Sequence, residues 1–364
     1  MKKFLPLSAF MGCAFSLLAV PLRGFNTNGF LYNFPGQRFN ISYTQAVNEL
    51  QPEILRFPGG TIANKYHFFQ TGYGQGSAYD QKTRQNYIVE FVRLVKSLNK
   101  EPVVIYVLNM FEHFYQPKQS DWELIVENLS ALIYLKRCGV KVVAVELGNE
   151  FYLAPVIRGW DIKMPEKWLR KFETDPTDEW WPDNYRKYHR LGKLYHHAIK
   201  KIDPNIKTGI PMGSVMNRNH QRWNAFAGKM TFSDAYIQHW YGQLKNHTDE
   251  VQARNEFQNF RNKVARNIQQ LQSEHQKEIW VTEWNGIDFG HKNDRNMHWK
   301  QSPLHMECNL SMQELFDSLG VKISIYHRIS SGKEGDSYNL MNVDRGSITR
   351  NPTFQPFTLP PFRN

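Results

Sequence analysis

Two stretches of this sequence end an apolar run on a glutamate. In "VAVELGNEFY", residues 143–152, the run gives way to Gly148-Asn149-Glu150. In "EIWVTEWNG", residues 278–286, a β-rich run ends at Glu283. A strand buried on both faces reads as a near-continuous Val/Ile/Leu run, belongs to a parallel sheet covered by helices, and places chemistry at its carboxyl end. The two glutamates are 133 residues apart, three βα units at generous length, which puts them at the ends of strands four and seven. Both then rise from one face. Two carboxylates facing each other across a sugar are what cleavage of a glycosidic bond requires: one protonates the leaving oxygen, the other attacks or activates water. Taken singly, a glutamate at a strand-to-loop junction is also an ordinary surface residue.

The elements that must carry this pair follow from periodicity. Apolar runs of strand length fall near residues 17–25, 54–57, 102–107, 142–147, 207–210, 235–239, 278–282 and 322–326, with helical patterns between them. "YIVEFVRLVKSLN" places Ile88, Phe91, Val92 and Val95 on one face, and "SDWELIVENLSALIYLKRCG" has a Ser120/Asp121 start and a Gly139 stop. Eight strands alternating with helices predict an α/β chain folded as a (β/α)8 TIM barrel over residues 21–330. An open doubly wound sheet is the alternative. It calls for a glycine fingerprint after the first strand, and "GYGQGS", residues 72–77, follows no strand and opens no helix. The long segment 151–183 lies on the catalytic side of strand four. Its Trp160, Trp168, Trp180 and Trp181 are open to two readings, stacking on sugar or packing the loop.

At this point the sequence resembles a known group. Asn149-Glu150 ending strand four and Glu283 ending strand seven look like the clan A retaining glycoside hydrolases. "LRFPGG", residues 55–60, is similar to the strand-two motif of the α-L-arabinofuranosidase group and, more loosely, of the heparanase and β-glucuronidase group. "KKIDPNIKTGIP" resembles their passage into strand five, and "QHWYG" the end of their strand six. The likeness runs from about Arg23 to about Arg328. It implies Glu150 as acid/base, Glu283 as nucleophile and Asn149 as a contact to the sugar 2-hydroxyl. It also implies Arg56 and Tyr241 holding Glu283, and His239 lining the sugar pocket. Physical reasons stand beside these roles: a charge-assisted hydrogen bond from Arg56 keeps a carboxylate ionised, and an acid catalyst has to carry its proton when the sugar binds. Trp284 and Asn109 also sit at strand ends, where pocket lining and plain packing are both open. No cofactor is implied.

That group carries a β-sandwich built mainly from sequence after the barrel. Only 38 residues follow Tyr326 here, too few for such a module, so residues 331–364 are expected to form a short C-terminal extension, either of a barrel-only relative or of a chain truncated before the sandwich.

Composition bounds the rest. The chain has 364 residues, 41% hydrophobic and 14% aromatic, the opposite of a disordered composition. A formal charge of +11 suits an anionic partner such as an acidic polysaccharide. Lys and Arg are scattered rather than blocked and no nucleic-acid motif accompanies them, so a carbohydrate substrate and no nucleic acid is the expectation. Lys2 and Lys3 ahead of the uncharged run 4–20 read as an export signal, residues 1–20, and a secreted or periplasmic location. The run is short for a membrane span, and Pro6 and Gly12 interrupt it; the competing reading is a retained first strand. Cys13, Cys138 and Cys308 have no metal-ligand spacing, and His189, His196 and His197 fall on one helix face, so no metal site is expected. The reading of a different class is a non-catalytic carbohydrate-binding barrel, which has no need of both glutamates.

Overall fold

The apolar runs become eight parallel strands in the computed structural model: β1 (Leu22–Asn26), β2 (Ile54–Phe57), β3 (Val103–Val107), β4 (Val142–Glu146), β5 (Lys207–Pro211), β6 (Ala235–Tyr241), β7 (Glu278–Asn285) and β8 (Ile323–Tyr326). Each pairs with its sequence neighbours, and β1 closes on β8 through Leu22 opposite Ile323. The result is the expected (β/α)8 barrel. The structure describes residues 21–27, 41–69, 72–73, 87–114, 120–153, 180–242, 244, 249–287, 299, 301–331, 339–344 and 347–358. The export-signal reading, most of the 151–183 segment with Trp160 and Trp168, and most of "GYGQGS" lie outside them.

Among the described residues seven helices wrap the barrel: α1 (Ile41–Leu50), α2 (Tyr87–Ser97), α3 (Asp121–Arg137), α4 (Trp180–Ile202), α5 (Arg218–Ala227), α6 (Glu250–His275) and α7 (Pro303–Ser318). Their starts are written in the sequence. Ser120 and Glu123 form a reciprocal capping box on α3, Asp249 caps α6, and Ser302 caps α7 ahead of Pro303. The eighth helix position is filled by a 3-10 turn, Pro352–Thr358, packed between α7 and α1. Its Phe357 ring meets Phe25 at 5.6 Å and Tyr326 at 4.6 Å. Before it runs a small sheet of β9 (Ser330–Ser331), β10 (Met341–Asp344) and β11 (Ser347–Arg350). Among the described residues no β-sandwich follows the barrel.

The barrel interior has two layers. Ile54, Ile105, Ala144, Ala235, Ile237, Trp280, Ile323 and Ile325 form an apolar cluster separate from the layer between strands and helices. Gly209 makes room for the largest member, since a Cβ there would lie 2.7 Å from the Trp280 ring. Two residues further along β2 and β4, on the same face, stand Arg56 and Glu146. The plug is therefore apolar below and charged above.

Candidate active site

The upper layer is organised by Arg56, which is fully buried. Its Nε donates to Glu146 Oε1 at 2.7 Å and its Nη2 to Glu146 Oε2 at 2.6 Å. Nη2 also reaches Asn149 Oδ1 at 2.9 Å, and Nη1 donates to Glu283 Oε1. The other Glu283 oxygen accepts from the Tyr241 hydroxyl at 2.6 Å, while Asn26 Nδ2 lies 3.3 Å from Oε1. Burial alone would raise the Glu283 pKa, but the charges of His239 and Arg56 outweigh it and hold the carboxyl well below the usual range. Glu283 is a carboxylate built to stay ionised.

Glu150 stands across the mouth. The strand gives way at Gly148, whose φ of 96° favours glycine, and Glu150 itself has a φ of 46°, in the left-handed region. Such a backbone costs about 1–3 kcal/mol and clusters at functional sites. Glu150 Oε1 accepts from Tyr152 at 3.0 Å and lies 3.0 Å from His239 Nδ1, whose other nitrogen is 3.2 Å from Thr282 Oγ1. Burial lowers the His239 pKa, yet Glu283 and Glu150 outweigh that and raise it. Donor atoms of Glu150, His239 and Glu283 all fall within 4.8 Å of one another. Such a trio is also a cation's donor set, but both Glu283 oxygens are already engaged and the Arg56 charge stands against it.

How Glu283 comes to face inward is a matter of register. Opposite β6, Gln238 pairs with Val281 and His239 with Glu283, so Thr282 is an extra residue in β7. The β8 pairing shows the same step, Ser324 to Val281 and then Tyr326 to Trp284. A β-bulge of this kind re-aims the side chains beyond it. It turns Glu283 into the barrel and Trp284 out.

The structure therefore brings together Arg56, Asn149, Glu150, His239, Tyr241 and Glu283, and leaves two expected residues out. Trp284 is buried in the layer between barrel and helices, edge-on to Phe316 and Tyr326, and does not line the mouth. Asn109 is consumed by local structure: its Nδ2 donates to the Tyr66 carbonyl and its Oδ1 accepts from the Glu112 amide. Both are corrected to packing and loop-holding roles. Residues the sequence reading missed are Glu146, Asn26, Tyr152, Thr282 and His327. Burial pushes the His327 pKa down to about 3, and its Nδ1 lies 3.2 Å from Asn26 Nδ2. Glu146 had a signal, since a carboxylate inside a two-sided apolar strand needs a partner.

A closed parallel barrel with facing carboxylates at the ends of β4 and β7 is the architecture this chain presents. No protein-family model matches the chain, and no curated protein matches it in sequence. Solved structures match it in fold. A family 51 α-L-arabinofuranosidase from Bifidobacterium longum has a TM-score of 0.57 at 12% identity, over 94% of this chain and 73% of that one. A fungal β-1,4-galactanase gives 0.56 at 14%, over 93% and 99%. A Bacteroides uniformis β-glucuronidase gives 0.55 at 11%, over 93% and 34%. At the level of fold, this is the resemblance that the motifs implied.

Proposed function

We propose that this protein is a retaining glycoside hydrolase acting on an oligo- or polysaccharide. The observation that supports the reading is the close approach of Glu150 and Glu283, one oxygen of each within 4.8 Å of the other, with one carboxylate held ionised and the other beside a histidine and a tyrosine. Retaining enzymes hold their carboxyl groups about 5–5.5 Å apart, while inverting ones need about 6.5–9.5 Å to seat a water. Glu283 attacks the anomeric carbon as Glu150 gives its proton to the leaving oxygen. Glu150 then takes a proton from water, which displaces Glu283 from the ester. Asn149 Nδ2 is buried with no partner among the described residues, because Arg56 fixes the amide with its oxygen inward; the nitrogen is left for a sugar hydroxyl.

The test is a panel of aryl glycosides and polysaccharides, with the first-formed anomer read by NMR. Glu283→Ala is expected to abolish activity. Glu150→Ala should keep glycosylation by nitrophenyl glycosides, accumulate covalent enzyme, and regain turnover with azide as a glycosyl azide of retained configuration. Rescue products of exchanged configuration would reverse the two roles. Wild-type binding of sugars with no turnover of any panel member would favour the non-catalytic barrel instead.

Two finer proposals go with this reading. The +11 charge supports an acidic polysaccharide as substrate, in which case turnover falls steeply with added salt. Salt-insensitive kinetics on the true substrate would sink it. Export rests on the first 20 residues, and amino-terminal sequencing of the protein from its native host would show whether they are removed.

A further inference from the structure

One buried carboxylate belongs to neither half of the catalytic pair. Glu146 is fully buried on β4, and both its oxygens accept from Arg56. A single guanidinium thus spends one edge on Glu146 and presents the rest to Glu283 and Asn149. Burial works against the Arg56 charge, and Glu146, with Glu283 after it, outweighs that and holds the guanidinium pKa above its ordinary value.

In the double displacement, Glu283 does not keep its charge. Its oxygen forms a bond to the anomeric carbon, the bond to the leaving oxygen breaks with its electron pair, and Glu150 supplies the proton. Glu283 is then a neutral ester. At that stage Arg56 faces one anion instead of two, and a buried ion without a partner is strongly destabilising.

We propose that Glu146 is a positioning residue, the permanent counter-ion that keeps Arg56 oriented while Glu283 alternates between carboxylate and ester. The catalytic half of this rests on the glycosidase reading; the counter-ion half does not. Without Glu146, Arg56 binds Glu283 alone and stabilises it as a carboxylate. Attack on the sugar then slows, and the ester becomes easier to release.

Two experiments separate these halves. The first is a thermal-melt cycle at neutral pH of Glu146→Gln, Glu283→Gln and the double variant. Glu283→Gln alone should lower the melting point by the loss of its own pair with Arg56 but leave the fold intact, because Glu146 still balances the guanidinium. The double variant should melt on the order of 5 °C below the sum of the single effects. Additive losses would overturn the counter-ion role. If Glu146→Gln does not fold, Glu146→Asp decides: it keeps the charge and should fold, and its failure would show that shape rather than charge is needed. The second experiment uses any aryl glycoside that the wild type hydrolyses, followed by intact mass under turnover. Glu146→Gln should lower kcat/KM about tenfold or more and reduce the fraction held as glycosyl-enzyme, with Glu146→Asp recovering part of both. An unchanged glycosyl-enzyme fraction would overturn the catalytic half. If the wild type turns over no glycoside, the glycosidase reading fails while the melts still decide Glu146.

Discussion

Tyr241→Phe removes one oxygen from the site and leaves the ring in place. Its hydroxyl donates to Glu283 Oε2 at 2.6 Å, a charge-assisted hydrogen bond. Bonds of this kind contribute about 1.5–3 kcal/mol, which is roughly 10- to 150-fold in rate if the whole of it is felt in one step. The geometry says which step. In the proposed double displacement Glu283 gives up charge during attack, so the bond weakens towards the transition state and its loss costs little there. During release Glu283 regains charge, so the bond strengthens and its loss is felt in full. The expected signature is a kcat lower by about 10- to 150-fold on an aryl glycoside, a KM lower with it, and kcat/KM at neutral pH nearly kept. Stopped-flow release of the phenol should show a burst, and intact mass should show covalent enzyme.

The same change should move the pH profile. Glu283 is held low against burial by His239 and Arg56, with Tyr241 helping, so losing the hydroxyl lets its pKa rise. The acid limb of kcat/KM then moves to higher pH. Stability follows the same sign: a depressed carboxylate stabilises the fold above its unfolded pKa, and that contribution is lost as pH falls through the folded value. The melting difference between Tyr241→Phe and wild type should therefore shrink in acid. A variant whose kcat/KM drops while kcat and covalent enzyme are unaffected would refute the argument, because Tyr241 would then serve binding and not the departing carboxylate.

Two further outcomes test other parts of the molecule. Trp284→Ala should cost about 3–5 kcal/mol of stability and leave KM unchanged, since the ring packs between barrel and helices; a raised KM with normal melting would return it to the pocket. His67 is buried, which would lower its pKa, but Glu112 and Glu127 outweigh burial and raise it to about 9. Its contribution is therefore complete below an ordinary histidine pKa and is lost as pH rises through about 9, so melting should fall across that window and His67→Gln should flatten the slope.

What was legible in the sequence was set by pattern. Parallel strands buried on both faces announce themselves as apolar runs, so β2 was found to the residue and β4 to within one. Glutamates closing such runs were legible for the same reason. The Trp284 error has a definite cause: alternation from Trp280 inward would point Thr282 in and Glu283 out, and only the bulge at Thr282 reverses the order. A bulge has no pattern of its own in "EIWVTEWNG". Asn109 failed differently, because a strand-end amide satisfies backbone groups as readily as a ligand. Asn26 and His327 could be recognised only once β1 and β8 were seen to close beside β7 and β2.

The network's hydrogen bonds carry a final consequence for catalysis. Arg56, Glu146, Glu283, Tyr241, Asn26 and His239 are all held by one another before any ligand arrives. Dipoles fixed in this way need no reorganisation when charge moves, which is how a water-poor site stabilises a transition state. Preorganisation has a cost, since every buried polar atom must find a partner within the fold. Among the described residues the network leaves one such atom open, Asn149 Nδ2, on an amide whose oxygen Arg56 holds and which directly precedes Glu150 in the chain. A sugar hydroxyl placed there completes the set. If the proposed glycosidase reading holds, with Asn149 contacting the sugar 2-hydroxyl, this open donor would gain binding energy beside the reacting centre rather than remote from it.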